Sequence, residues 1–294
     1  MRLVTRGDLD GLACAVLITT YEKVSEIILV HPQDITDQLI DITDRDVLAN
    51  LPYHPNAALW FDHHLLTQSN RQPDGDFKGR YGLAPSAAQL VWEYYDKDPK
   101  WEQLITETNR LDSAQLTMDD VLDPKDFILL GYTIDSRTGL GAFEYYFGQC
   151  VEWVKKLPIR DVLMQPLVAD RVRRMRDEDR NFRKALQDHS RLEKNVIFTD
   201  YRDQDFLPVG NRFLVYTLWP EANVSMRVHW GPEHKFLVVA VGHSIFNRTC
   251  ATNVGELMSK YGGGGHRGAG TTPIPTELAD EKVNEILEAL KEAD

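Results

Sequence analysis

Asp62, His63 and His64 stand in a row directly after the apolar run Ala57-Ala58-Leu59-Trp60-Phe61. A carboxylate with two imidazoles is costly to place at the end of a buried strand for packing alone, yet these side chains suit divalent cations. Asp8 and Asp10, separated only by Leu9 and followed by Gly11, form a second carboxylate pair that can project from one strand-to-helix turn. By itself, Asp-x-Asp-Gly also describes an ordinary capped turn. Near the C-terminus, Gly262-Gly263-Gly264-Gly265 offers backbone that can approach an anion without Cβ interference, and His266 and Arg267 add donors beside it. Carboxylate and imidazole ligands for a metal, with a bare backbone loop for phosphate, are what metal-assisted phosphoester hydrolysis requires.

These residues need elements to hold them. Residues 1–150 alternate short apolar runs with helical stretches: Leu3-Val4 precedes the Asp8 turn, Leu12 to Thr20 reads as a helix, and Ile27-Ile28-Leu29-Val30 and Ala57 to Phe61 read as strands. Such alternation predicts an α/β fold whose N-terminal domain is a parallel sheet covered by helices. Ligands then gather beyond the carboxyl ends of the strands, where both aspartate clusters fall. A helix is expected from Ser86, with Ala87, Leu90, Val91 and Tyr94 at helical spacing. From Pro166 to about Leu192, apolar residues at three-and-four spacing predict one long connecting helix. Its Arg171, Arg173, Arg174, Arg176 and Arg180 would form a solvated face against Asp177, Glu178 and Asp179. Beyond it, β-rich segments at 196–198, 213–216, 224–228 and 236–241, with helices near 253–260 and 280–293, predict a smaller α/β C-terminal domain. The expected division is a metal-binding phosphoesterase domain over 1–165, a connecting helix over 166–194 and a glycine-rich substrate-binding domain over 195–294.

Composition narrows the partners. A net charge of −12 over 294 residues argues against duplex DNA and membrane surfaces, which are bound through many lysine and arginine contacts. Cys14, Cys150 and Cys250 are too sparse for a disulfide framework or a zinc knuckle, so a reducing cytoplasm is the expected compartment. Arg2-Leu3-Val4-Thr5 enters a strand pattern at once, without a charged segment followed by an apolar one, so no secretory leader is expected, and no apolar run reaches membrane-spanning length. Trp60, Trp92, Trp101 and Trp153 are expected in the core or at its rim. A homodimer is left open.

The combination resembles the DHH phosphoesterase superfamily, in the branch with an associated glycine-rich C-terminal domain, and the likeness covers nearly the whole chain. Thr5-Arg6-Gly7-Asp8-Leu9-Asp10-Gly11 resembles the first motif, Asp62-His63-His64 the motif that names the family, and Tyr261 through Gly270 the C-terminal signature. The resemblance implies a manganese- or magnesium-dependent hydrolase working in a cleft between two domains. Its substrates would be short RNA oligomers, cyclic dinucleotides, adenosine bisphosphates, pyrophosphate or polyphosphate. Asp8, Asp10, Asp62 and His63 would be metal ligands, and His64 a partner of the transition state. A further ligand falls on Asp112, the first choice, or on Asp135. Substrate contacts fall on Gly263, Gly264, Gly265, His266 and Arg267, with Arg248 and Asn253 as companions.

Two positions depart from the family pattern: Arg6 stands where a histidine is usual, and Asn50, after Asp46-Val47-Leu48-Ala49, where an aspartate is usual. Arginine does not coordinate a cation, and asparagine offers only a neutral carbonyl. This leaves open one tight ion site, a weakened second site aided by Asp34, Asp44 or Asp46, or a descendant without turnover. Arg6 would then act as a catalytic residue by stabilising a phosphoryl oxygen. The expected activity is hydrolysis of a short single-stranded oligonucleotide or other small phosphate compound. An exopolyphosphatase or pyrophosphatase, and a nucleotide-binding sensor with a degenerate metal site, are the alternatives.

Overall fold

The computed structural model describes residues 1–64, 75–134 and 143–292. The chain forms two compact units, residues 1–116 with 124–175, and residues 117–123 with 176–294.

Short apolar runs in the first unit pair as a parallel sheet. Strands β1 (Arg2–Thr5), β2 (Glu26–Leu29), β3 (Asp46–Ala49), β4 (Leu59–Asp62) and β5 (Gly79–Tyr81) lie in the order β2-β1-β3-β4-β5, every neighbouring pair parallel. β3 and β4 are buried along their whole length, as strands covered on both faces must be. Strand order reverses between β1 and β3, the place where such a sheet opens a crevice beyond its carboxyl ends. The covering helices are α1 (Leu9–Tyr21), α2 (Pro32–Thr36), α3 (Ala87–Tyr94) and α4 (Glu102–Asp112). After α5 (Met118–Leu122), which belongs to the second unit, come α6 (Asp126–Thr133), α7 (Phe143–Lys156) and α8 (Ile159–Leu163).

Helix α1 is buried continuously from Leu9 to Ile18 and lies in the same core as Phe61, Ala88, Leu104, Leu130 and Phe147. A helix apolar all round is a core element, so the turn that enters it is rigidly placed. Gly11 is required in that turn: a Cβ there would sit 2.0 Å from the Arg6 carbonyl oxygen. Trp60 and Trp101 are buried, while Trp92 and Trp153 pack half-buried against the same core.

Helix α9 (Pro166–His189) runs from the first unit into the second. It ends sooner than its periodicity suggests, because residues 190–193 form strand β6 (Ser190–Glu193). Arg173 and Arg180 pair with Asp170 and Asp177 on its exposed face, but Arg171 is only 3% exposed and lies with its guanidinium 3.9 Å from the centre of the Tyr146 ring. That arginine belongs to the core, where a planar cation stacks on an aromatic face.

The second sheet adds β7 (Val196–Asp200), β8 (Val224–Trp230), β9 (Phe236–His243), β10 (Gly264–His266) and β11 (Ala269–Pro275), in the order β10-β11-β9-β8-β7-β6. Its pairs are antiparallel except β7 with β8. Alternate residues Val224, Met226, Val228, Leu237, Val239 and Val241 form one core with Val283, Ile286, Leu287 and Leu290 of helix α12 (Ala279–Glu292). Helix α10 (Val215–Leu218) overturns the expected strand at 213–216; burial of Phe213, Leu214, Val215 and Tyr216 outweighs their β propensity. Helix α11 (Val254–Ser259) precedes the glycine run. No helix among the described residues is long and apolar enough to cross a membrane.

Candidate metal centre

The last residue of β4 is Asp62, so His63 and His64 leave the carboxyl end of the sheet together. His63 Nδ1 lies 3.1 Å from the Ala84 carbonyl oxygen, which can only accept, so in the neutral ring the proton sits on Nδ1. Nε2 then presents its lone pair 3.7 Å from Asp10 Oδ2 and 3.3 Å from Asp112 Oδ2, buried and without a hydrogen bond among the described residues. One ligand atom from each of Asp10, His63 and Asp112 lies within 4.8 Å of the others.

Asp10 is in the first turn of α1 and is fully buried beneath the start of α3. Its oxygens accept from the Ala87 amide at 2.9 Å and the Ala88 amide at 2.7 Å, using the positive end of that helix. Burial, with the Asp8 charge next, nevertheless pushes the Asp10 carboxyl up to about 7. Asp112 closes α4, where the negative end of the helix adds to its own charge, and burial followed by the Asp10 charge raises it as well. Two acids and an imidazole lone pair converging on one point repel each other. A divalent cation reverses that balance, and the oxygen and nitrogen donors are the kind it takes, so the residues present fit a cation.

Asp62 positions the histidines. Its Oδ1 accepts from the His63 amide at 2.9 Å and from His64 Nδ1 at 2.7 Å, while Oδ2 is buried with no partner among the described residues. The bond to Asp62 raises the His64 pKa, and the His64 side chain is 44% exposed. Tyr81 Oη donates to the His64 carbonyl at 3.0 Å, fixing the backbone of the triplet from the neighbouring strand.

Asp8 stands apart from the three-residue cluster. It caps α1, accepting at Oδ1 from the Gly11 amide at 2.8 Å and from Asn50 Nδ2 at 3.2 Å, with Oδ2 3.3 Å from Arg6 Nε. Asn50 follows β3 in a left-handed conformation, φ 58°, which asparagine tolerates, and its Oδ1 is buried without a partner among the described residues. Asp46 is no substitute: it opens β3 at the other end of the strand and is held by Arg2 at 2.7 Å and by Thr43. Asp34 is likewise used locally, in a capping box with His31, and among the described residues neither it nor Asp44 joins the cluster. Asp135 lies outside the described residues.

In the second unit the expected bare loop is partly a strand. Gly264, Gly265 and His266 form β10 against β11, with Gly265 opposite Gly270. A Cβ at Gly263 would meet Thr271 O at 2.2 Å, and one at Gly265 would meet Ala269 O at 2.2 Å, so these glycines allow a tight hairpin; Gly264 borders open space. His266 and Arg267 are exposed, and His266 Nδ1 accepts from the Gly268 amide at 3.1 Å, leaving Nε2 to donate. Arg248 Nε is bound to Ile245 O at 3.0 Å, and Asn253 caps α11. His243, not singled out from sequence, ends β9 with Nε2 2.9 Å from Thr252 O, and both its ring and that of His266 border Gly268. An imidazole closing an apolar strand is the signal that could have found it, as it does for His63.

No protein-family model and no curated protein sequence matches the chain. Solved structures do. A pGpG-specific phosphodiesterase, PggH from Vibrio cholerae, is 38% identical with a TM-score of 0.86, covering 100% of this chain and 99% of the other. The DHH domain of a protein described as a member of a ribosomal-protein family shares the fold at 12% identity and a TM-score of 0.68, over 100% of this chain and 87% of that one. RecJ from Thermus thermophilus, solved in complex with Mn²⁺, does so at 14% identity and a TM-score of 0.58, over 98% of this chain and 52% of that one. With the Asp-His-His triplet at the end of β4 and a full-length relative of this identity, the chain belongs to the DHH phosphoesterase superfamily and is a metal-dependent hydrolase of phosphoric esters.

Proposed function

We propose that the protein is a phosphodiesterase of short linear oligonucleotides, with a 5′-phosphorylated dinucleotide of the pGpG kind as substrate and manganese as the preferred cation. The observation that carries this reading is the end-to-end likeness, at 38% identity, to an enzyme specific for pGpG. Asp10, His63 and Asp112 hold the cation, with Oδ2 of Asp62, which has no hydrogen bond among the described residues, as a further ligand. A cation bound there supplies Lewis-acid charge to a phosphoryl oxygen of the scissile diester.

The remaining work falls to the chain's own side chains. His64, held by its bond to Asp62, stabilises negative charge developing on phosphorus-bound oxygens. Arg6, 3.3 Å from Asp8, stands as a fixed positive charge beside a carboxylate that the chain has already engaged, which favours a single tight cation site. Gly263, Gly264, Gly265, His266, Arg267 and Arg248 bind a substrate phosphate, with His243 as an added partner. Three free cysteines, two of them buried, accord with a cytoplasmic setting.

Incubation of the purified protein with pGpG and manganese tests the proposal: two GMP should form for each pGpG consumed, with water added across the diester. Turnover of polyphosphate or pyrophosphate in place of every dinucleotide would overturn it, and tight pGpG binding without products would leave a sensor.

A further inference from the structure

Asp10 and Asp112 reach the cation site from different helices, and one side-chain network joins what holds them. Ser86 caps α3, accepting at Oγ from the Gln89 amide at 3.1 Å, and donates to Asn109 Oδ1 at 2.6 Å. Asn109 lies in the last turn of α4, one turn before Asp112, and donates through Nδ2 to Gln89 Oε1 at 2.9 Å. Ser86 is fully buried, so its hydroxyl cannot exchange this partner for water, and losing it would leave a buried polar group unmet. The amides that follow Ser86, those of Ala87 and Ala88, are the ones that grip Asp10. The Ser86–Asn109 bond therefore ties the amino end of α3, with Asp10 bound to it, to the carboxyl end of α4, which carries Asp112.

That tie opposes a real force. Asp10 and Asp112 bring two acidic side chains within 4.8 Å of each other, a crowding that two free helix ends would relieve by moving apart. Holding ligands at their bound spacing in advance removes reorganisation from the binding step. We propose that Ser86 and Asn109 are positioning residues that set the Asp10–Asp112 spacing and so the affinity for the divalent cation. The inference rests on the reading of Asp10, His63 and Asp112 as a cation site.

Calorimetric titration of the full-length protein with manganese, run beside thermal melting, tests it. Asn109→Ala leaves every ligand in place and is expected to weaken manganese binding about ten-fold, the lower range for loss of a group supporting a ligand. Ser86→Ala should do the same, and the double variant should be about as weak as either single one, because both remove one bond. Gln89→Ala, which removes only the outer leg, should change affinity by less than about two-fold. Asn109→Asp keeps the acceptor for Ser86 and should bind no more weakly than wild type. If Ser86→Ala does not fold, Asn109→Ala carries the test, since alanine is the better helix former at that half-buried position. Lower melting temperatures with wild-type manganese affinity in the alanine variants would overturn the proposal, as would Asn109→Asp binding as weakly as Asn109→Ala. Asp112→Asn separates the two levels of the reading: unchanged affinity there sinks the cation site itself, whereas lost affinity there with none lost in Asn109→Ala sinks only the positioning role.

Discussion

His63 approaches Asp112 to 3.3 Å through Nε2, the nitrogen left with a lone pair once Nδ1 donates to the Ala84 carbonyl. A lone pair facing a carboxylate is not an attractive contact. The two groups are better understood as ligands aimed at one cation than as a histidine–aspartate ion pair. Asp112→Asn should therefore weaken manganese binding by more than about ten-fold. With chelator present, its melting temperature should match or exceed wild type, because one of two crowded acids becomes neutral. A marked loss of stability in chelator would show that Asp112 is instead paired with a protonated His63.

The His64 ring is bonded to Asp62 and is nearly half open to solvent. His64→Ala is expected to lower kcat by about a hundred-fold or more while manganese affinity stays within about two-fold, since the ring is outside the Asp10–His63–Asp112 cluster. Steady-state kinetics and titration of the same preparation check both. Asp62→Asn, which removes the charge behind both histidines, should abolish turnover, and a variant that keeps wild-type kcat would remove the triplet from the chemistry.

Arg6 and Asn50 both contact Asp8. Exchanging both, Arg6→His with Asn50→Asp, trades a fixed cation and a neutral amide for two ligands. Manganese stoichiometry should rise toward two ions per chain in a calorimetric titration. An unchanged stoichiometry of one would mean that Asp8 is held as a cap alone.

His266→Ala tests the second unit. Its imidazole is exposed, with Nδ1 already accepting from Gly268, so Nε2 is free to donate to a phosphate. Loss of such a charge-assisted bond corresponds to roughly 1.5–3 kcal/mol, about ten- to a hundred-fold in kcat/KM, with manganese affinity untouched. Should manganese affinity fall as well, His266 would belong with the metal ligands; should neither change, the hairpin would be structural.

What the sequence determined by itself were the features written over a few consecutive residues. The Asp-His-His triplet closes a fully buried strand, Ser86 and Asp8 stand at helix starts, and the β-rich runs at 224–228 and 236–241 mark strands of the second sheet. The family followed from three such segments. Tertiary structure decided which side chains meet. Asp8 and Asp10 look equivalent in sequence, yet Asp10 turns inward to amides 77 and 78 residues away, while Asp8 is taken by Gly11, Asn50 and Arg6. Nothing local distinguishes them, because the difference is made by the start of α3 packing over α1. Arg171 left its solvated face for the Tyr146 ring for the same reason, and two glycines of the 262–265 run proved necessary for close backbone packing in a hairpin. Periodicity reports which face of an element is apolar; the groups facing that element come from distant parts of the chain, and only packing brings them together.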